Sequence, residues 1–139
     1  MLQHQQSLKI KITGKSLANI TSQVQAVVAE SGVKTGLCTI FIRHTSASLI
    51  IQENADPDVL KDLENFFAKL VPEDGRSYIH DAEGSDDMPA HIRSVLTHTS
   101  EQIPIGQGKL LLGTWQGIYI WEHRQRSHVR EVVIHISGN

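Results

Sequence analysis

Apolar side chains recur along the chain at two spacings. Between His4 and Ile12 they alternate, with Leu8, Ile10 and Ile12 set against Lys9 and Lys11, the period of a half-buried strand that Gly14 ends. From Ser16 to Ser31, Leu17, Ile20, Val24, Val27 and Val28 return at steps of three and four, and Gly32 follows where a helix C-cap glycine belongs. This pattern predicts one amphipathic helix lying on a sheet. Leu37 to Phe41 is a β-branched and aromatic run leading through Ile42 and Arg43 into His44-Thr45-Ser46-Ala47-Ser48, after which Leu49-Ile50-Ile51 resumes. Two strands joined by a polar turn are expected there. Asp56 and Pro57 supply an N-cap and a first helical residue, and Val59, Leu60, Leu63, Phe66, Phe67 and Leu70 make a stripe up to Pro72, with both phenylalanines expected in the core. A third helix begins near Met88-Pro89, which sets His91 in its first turn and gives it the face Ile92, Val95 and Leu96. Ile103-Pro104-Ile105 followed by Gly106-Gln107-Gly108 reads as an edge segment turning into a hairpin. Lys109 to Leu112 and Ile118 to Trp121 read as a hairpin across Gly113 to Gly117, and Val129 to Ile136 as the last strand.

A chain of 139 residues with 40% hydrophobic content suits one compact domain over residues 1–139 that needs no disulfide or structural metal to build its core. A net charge of -2 argues against a dedicated nucleic-acid binder, whose affinity comes largely from cations set against phosphates. The single cysteine, Cys38, lies within an apolar run and reads as a buried, inert thiol. No apolar run is long enough to span a bilayer and no basic-then-apolar leader opens the chain, so a cytoplasmic protein without a membrane partner is expected.

The chemistry concentrates in Tyr78 to Arg93, where two histidines, four carboxylates, an arginine, a glycine and a proline share sixteen residues. No apolar core buries such a density of ionisable groups without partners. His80 and His91, helped by Asp81, Glu83, Asp86 or Asp87, could hold a divalent metal or act as acid and base on a bound phosphate, and the helix N-terminus beside His91 favours anions. A solvated, Asp-rich loop that merely caps the helix is the plainer alternative. In His44 to Ser48, an extended backbone places His44, Ser46 and Ser48 on one face, where with Thr45 they could grip a phosphate or orient a metal-bound water. The plainer alternative is a tight bend of small hydroxyl residues. Asn54 follows a strand directly and could face the same cleft as His44. Trp115 stands at a loop tip with Gln116 beside it, either tucked under the loop or presented to a ligand. Glu122 and Arg124 share a face of the extended chain, as a surface ion pair or as an arginine aimed at phosphate with Glu122 holding it or a metal. Arg126, His128 and Arg130 extend an anion-attracting rim or solvate the last strand.

Taken together, His44 to Ser48, Asn54 to Pro57, His80-Asp81 with Glu83-Gly84, Asp87-Met88-Pro89 with His91-Ile92, and Gly113-Thr114-Trp115-Gln116-Gly117-Ile118 with Glu122-His123-Arg124 resemble the YjbQ family, also called secondary thiamine-phosphate synthase. The resemblance runs from about Ser7 onward. It implies a small α+β domain around a mixed or antiparallel β-sandwich-like sheet with about three helices, assembled as a homotrimer. It also implies a weak activity joining hydroxymethylpyrimidine diphosphate to hydroxyethylthiazole phosphate, giving thiamine phosphate and diphosphate. On that expectation His44, His80, Asp81, His91, Glu122 and Arg124 are catalytic, and Thr45, Ser46, Ser48, Asn54, Trp115 and Gln116 bind a small phosphorylated metabolite. His44, His80 and His91 are then the ligands of a divalent metal, magnesium for phosphate oxygens or zinc for imidazoles. Two other classes stay open: a metal-dependent hydrolase or lyase acting on a phosphorylated metabolite, and a non-catalytic trimer that binds a metal or an anion.

Overall fold

A computed structural model describing Met1–Asn139 resolves these periods into eight strands and three helices. They run β1 (Leu2–Ile12), β2 (Ser16–Asn19), α1 (Thr21–Ser31), β3 (Gly36–Ile42), β4 (Ala47–Glu53), α2 (Pro57–Leu70), α3 (Asp87–Leu96), β5 (Ser100–Gly106), β6 (Lys109–Leu110), β7 (Gln116–Glu122) and β8 (His128–Gly138). A five-stranded sheet in the order β1-β8-β3-β5-β6 faces a three-stranded sheet, β2-β7-β4. Every paired neighbour is antiparallel. Alternation decides what lies between the sheets. Cys38, Ile40 and Ile42, Ile103 and Ile105, and Val132, Ile134 and Ile136 point inward from the larger sheet, against Ala47, Leu49, Ile118 and Ile120 of the smaller. Val24, Val27 and Val28 of α1 join the same core. Burial pushes the Cys38 thiol up to about 11, which keeps it protonated and unreactive at neutral pH. No helix is long and apolar enough to cross a membrane.

The outer face of the small sheet carries Ile50, Tyr119 and Trp121, covered by Leu60, Leu63 and Phe67 of α2. Asp56 accepts from the Asp58 amide at 2.9 Å, the expected cap. Phe67 meets Trp121 edge-on at 4.9 Å, whereas Phe66 is 60% exposed and not a core residue. Successive helical residues lie about 100° apart, so only one of the two rings can face the sheet.

Two sequence expectations change and a third gains its sheet assignment. The helix expected over Ser16 to Ser31 is a strand followed by a shorter helix: Leu17 pairs with Trp121, the Ile20 amide donates to the Ile118 carbonyl, and Asn19 Oδ1 accepts from the Thr21 amide and hydroxyl. Pairing with β7 claims these residues before the helix begins; Gly32 then ends α1 at φ 72° as expected. The two strands expected around the polar turn are present as β3 and β4, but in different sheets, because β3 pairs with β8 and β5 while β4 pairs with β7. The chain changes sheet across Arg43 to Ser46. The hairpin expected between Lys109 to Leu112 and Ile118 to Trp121 is absent: β6 folds back on β5, and the small sheet takes β7.

The sandwich is closed at the site end by a charge pair. Glu122 continues the inward series Ile118, Ile120, and Arg130 the series Ile136, Ile134, Val132, so the two charges meet between the sheets, essentially without solvent exposure. Arg130 Nε donates to Glu122 Oε1 at 2.7 Å, and Nη2 to Oε2. Breaking such a pair leaves an uncompensated buried charge. Arg130→Met is expected to cost about 3–5 kcal/mol in urea unfolding, and Glu122→Leu with Arg130→Met to recover most of it. Equal losses in the single and double variants would show that the pair is not what holds this end shut.

Candidate functional site

Asp87 and His91 stand four residues apart at the start of α3, on one face of the helix, and the irregular segment before it brings in His80. His91 is therefore in the second turn, not the first. His80 Nε2 lies 2.6 Å and His91 Nε2 3.3 Å from Asp87 Oδ2, and one donor atom from each of the three residues falls within 4.8 Å of the others. His91 Nδ1 donates to the Thr45 carbonyl at 3.0 Å, which fixes its tautomer and leaves the Nε2 lone pair turned to the cluster. Asp87 is buried, and its other oxygen accepts from Arg124 Nη1 at 2.7 Å. Two imidazoles and a carboxylate, with His91 and Asp87 oriented from behind, fit a divalent cation with open coordination positions.

Arg124 is not presented to solvent. Its Nε donates to Asp86 at 3.0 Å and its Nη2 to the Glu83 carbonyl at 3.1 Å, besides the bond to Asp87. Burial alone would raise the Asp86 pKa, but bonds from the Gln125 amide and Arg124 draw it below the usual carboxylate range. Asp86 thus anchors Arg124 and Gln125 in place of capping α3, where it makes no side-chain cap bond. Glu122 is neither a surface partner of Arg124 nor a member of the cluster; it accepts the Arg124 amide at 3.1 Å and is otherwise held by Arg130.

His44 stands beside the cluster and outside it. Its Nε2 accepts the Glu131 amide at 2.8 Å, so that lone pair is occupied and His44 is no ligand in this arrangement. Burial, then the nearby Arg130 charge, lower its pKa, which keeps the ring neutral. Ser46 accepts from Arg130 Nη2 through its carbonyl and hydroxyl oxygens, at 3.2 and 3.1 Å. Ser48 is buried and hydrogen-bonds His123 Nε2 at 2.9 Å, with the Thr97 hydroxyl 2.6 Å away. Of the hydroxyls expected to meet a ligand, Thr45 alone remains at the surface beside His91.

Asp81 is exposed and outside the cluster; Asp87 takes the place given to it. Asn54, Trp115 and Gln116 lie elsewhere. In the register of β4 with β7, Ala47 faces Glu122 and Glu53 faces Gln116, so they sit at the far end of a seven-residue ladder, about 20 Å away. Asn54 Nδ2 donates to the Thr114 and Gln116 carbonyls, and Gln116 Oε1 accepts the Gly113 amide, which closes the loop and leaves Trp115 63% exposed. The spacing Asp87-x3-His91 inside a helix was the signal for the missing carboxylate. Arg130, expected on an anion-attracting rim or a solvated strand, is instead buried against Glu122, and His123, given no role of its own, is buried as well; nothing local marks either as interior.

The model of the family described as UPF0047 protein YjbQ-like matches residues 6–139. UPF0047 protein sll1880 of Synechocystis sp. is 71% identical over 136 residues, covering 98% of this chain and 92% of that one. A YjbQ/UPF0047 family protein of Clostridium acetobutylicum shares the fold with a TM-score of 0.85 at 41% identity, covering 96% of this chain and 99% of that one. A YbjQ-like protein of unknown function from Sulfolobus solfataricus P2 does so with a TM-score of 0.86 at 26% identity, covering 99% of each chain.

Burial, then the charges of Arg93, Arg130 and Lys15, lower the His123 pKa from 6.5 to about 3. The folded ring stays neutral where the unfolded one takes up a proton, so its contribution to stability is complete above about pH 6.5 and is lost as pH falls toward 3. His123→Gln is expected to flatten the acid limb of the stability curve by roughly 1 kcal/mol per pH unit between pH 6 and 4. Parallel limbs for variant and parent, read by urea unfolding, would mean that His123 titrates normally.

Proposed function

The chain belongs to the YjbQ-like UPF0047 family, and from that premise we propose that it is a metal-dependent enzyme acting on a small phosphorylated metabolite through His80, Asp87 and His91. The observation that carries this reading is the convergence of those three donors, with His91 oriented by the Thr45 carbonyl and Asp87 by Arg124. A zinc or magnesium ion held by these three residues would supply Lewis-acid stabilisation of charge on a departing diphosphate or, in hydrolysis, a more nucleophilic water near neutral pH. The imidazoles favour a zinc-like ion over magnesium.

The reaction put first is the one the family resemblance implies: transfer of the hydroxymethylpyrimidine group from its diphosphate to hydroxyethylthiazole phosphate, giving thiamine phosphate and diphosphate. In it His80, Asp87 and His91 would hold the ion. Arg124 keeps Asp87 aimed at the cluster, and does not itself grip phosphate. Metal-dependent hydrolysis or lysis of a phosphorylated metabolite is the second reading. It is favoured by the imidazole-rich donor set and by the commitment of Arg124 to Asp86, Asp87 and the Glu83 carbonyl, which withdraws the cation first assigned to a diphosphate. The homotrimer that the resemblance implies belongs to the same proposal.

Protein purified without an affinity tag is expected to carry near-stoichiometric metal and to form thiamine phosphate from the two precursors, with the activity lost to chelator and restored by the ion. His91→Ala is expected to lower metal affinity by about 100-fold or more, since even groups behind a ligand are worth 10–100-fold, while the fold persists by circular dichroism. Phosphate-ester hydrolysis without synthesis selects the second reading, and metal retention without turnover the non-catalytic class. Undiminished metal binding in His91→Ala would remove the cluster from all three.

A further inference from the structure

Beside the metal cluster, sharing His91 with it, lies a groove of a different character. A cavity of about 170 Å³ adjoins His91 and is lined by His44, Thr45, Ser94, Val95 and Thr99. It continues past His44, Thr45 and Thr99 into a second hollow of about 420 Å³ bordered by Phe41 and Ile42. No charged side chain lines the first hollow: His44 accepts the Glu131 amide and is held neutral, and His91 is a ligand in the proposed site. The only full charge along the second is Arg43, already paired with Glu131 at 3.1 Å. Val95 presents its side chain at the wall, 83% exposed, and Phe41 is half exposed. Ser94 is 6% exposed, and its hydroxyl has no hydrogen-bond partner. A helical serine normally bonds a carbonyl of the preceding turn, so an orphaned hydroxyl beside the groove marks a place for a polar atom that comes from outside the chain.

We propose that this groove binds the uncharged part of the substrate, a largely apolar ring or short chain bearing one hydrogen-bonding atom for Ser94, while the phosphate-bearing end lies on the metal cluster. The proposal deepens the reading of the cluster as a phosphate-handling metal site and rests on it for the second half. His91 is the hinge of the argument, because it borders the groove and also supplies a donor to the cluster. A substrate reaching from one to the other has its anionic and uncharged ends on opposite sides of that imidazole. Sugar phosphates and nucleotides are disfavoured, since their many hydroxyls or charges would find only the hydroxyls of Ser94, Thr45 and Thr99 and otherwise lose water against Val95 and Phe41. Esters of uncharged, mainly apolar alcohols fit the lining.

The test compares phenylphosphonate with methylphosphonate on the zinc-loaded protein by calorimetry; the head groups are alike and neither is hydrolysed. Phenylphosphonate is expected to bind about 10-fold tighter or better, the gain from burying part of a ring, and Val95→Asp, a surface change, to erase the difference while methylphosphonate binding persists. Equal affinities in the parent protein would overturn the groove. A second arm does not depend on the metal: benzyl alcohol, followed by the NMR shifts of the Val95, Thr45 and Thr99 methyls, is expected to saturate, to weaken several-fold in Ser94→Ala and to vanish in Val95→Asp. Failure of both phosphonates to bind alongside saturating benzyl alcohol shifts would bring down the phosphate reading of the cluster and leave the groove standing. Unmoved methyl resonances would bring down the groove whatever the metal does.

Discussion

One buried ion pair organises the functional end of this molecule. Glu122 and Arg130 occupy positions that strand alternation assigns to the apolar interior, and each is tolerable there only because the other is present. Their hydrogen bonds reach outward. Glu122 accepts the Arg124 amide, and Arg130 holds Ser46, so the end of β7, the start of β8 and the crossing between the sheets are tied at one point. The segments that carry Thr45, Arg124 and Asp87 are positioned from this tie.

From there the charges alternate toward the surface. Arg124, set by Glu122, is flanked by Asp86 and Asp87, and Asp87 turns its second oxygen to His80 and His91. Each group is held from behind by the next, so a carboxylate as buried as Asp87 has partners on both oxygens, Arg124 on one and the two imidazoles on the other. The arrangement presents lone pairs and one negative charge to a site that His80 leaves partly open. It suits a cation better than an anion. An anionic metabolite would be held there through the cation, not through Arg124. The neighbouring groove is nearly free of charge, so the two halves of the proposed site differ in kind: one orders a charged end, the other takes the group that avoids water.

Periodicity, caps and composition were legible in the chain by itself. Alternation marked Leu8 to Ile12 and Val129 to Ile136 as strands, Asp56-Pro57 and Gly32 marked helix ends, and the motifs from His44 to Arg124 marked the family. His80 and His91 stood out because so many ionisable groups in sixteen residues had no packing explanation. These are local properties, set by backbone geometry and by solvation of each stretch. What only the tertiary structure decided is which groups meet. Leu17 joined a strand because β7 needed an edge partner, and β3 and β4 parted because each sheet had its own apolar face to bury. That parting put His44 beside His91 but spent its lone pair on the Glu131 amide, and it left Asn54 and Trp115 at the opposite end. Asp87 prevailed over Asp81, and Glu122 went inside, because a charge is buried only where its partners converge, and those partners lie many residues away in the chain.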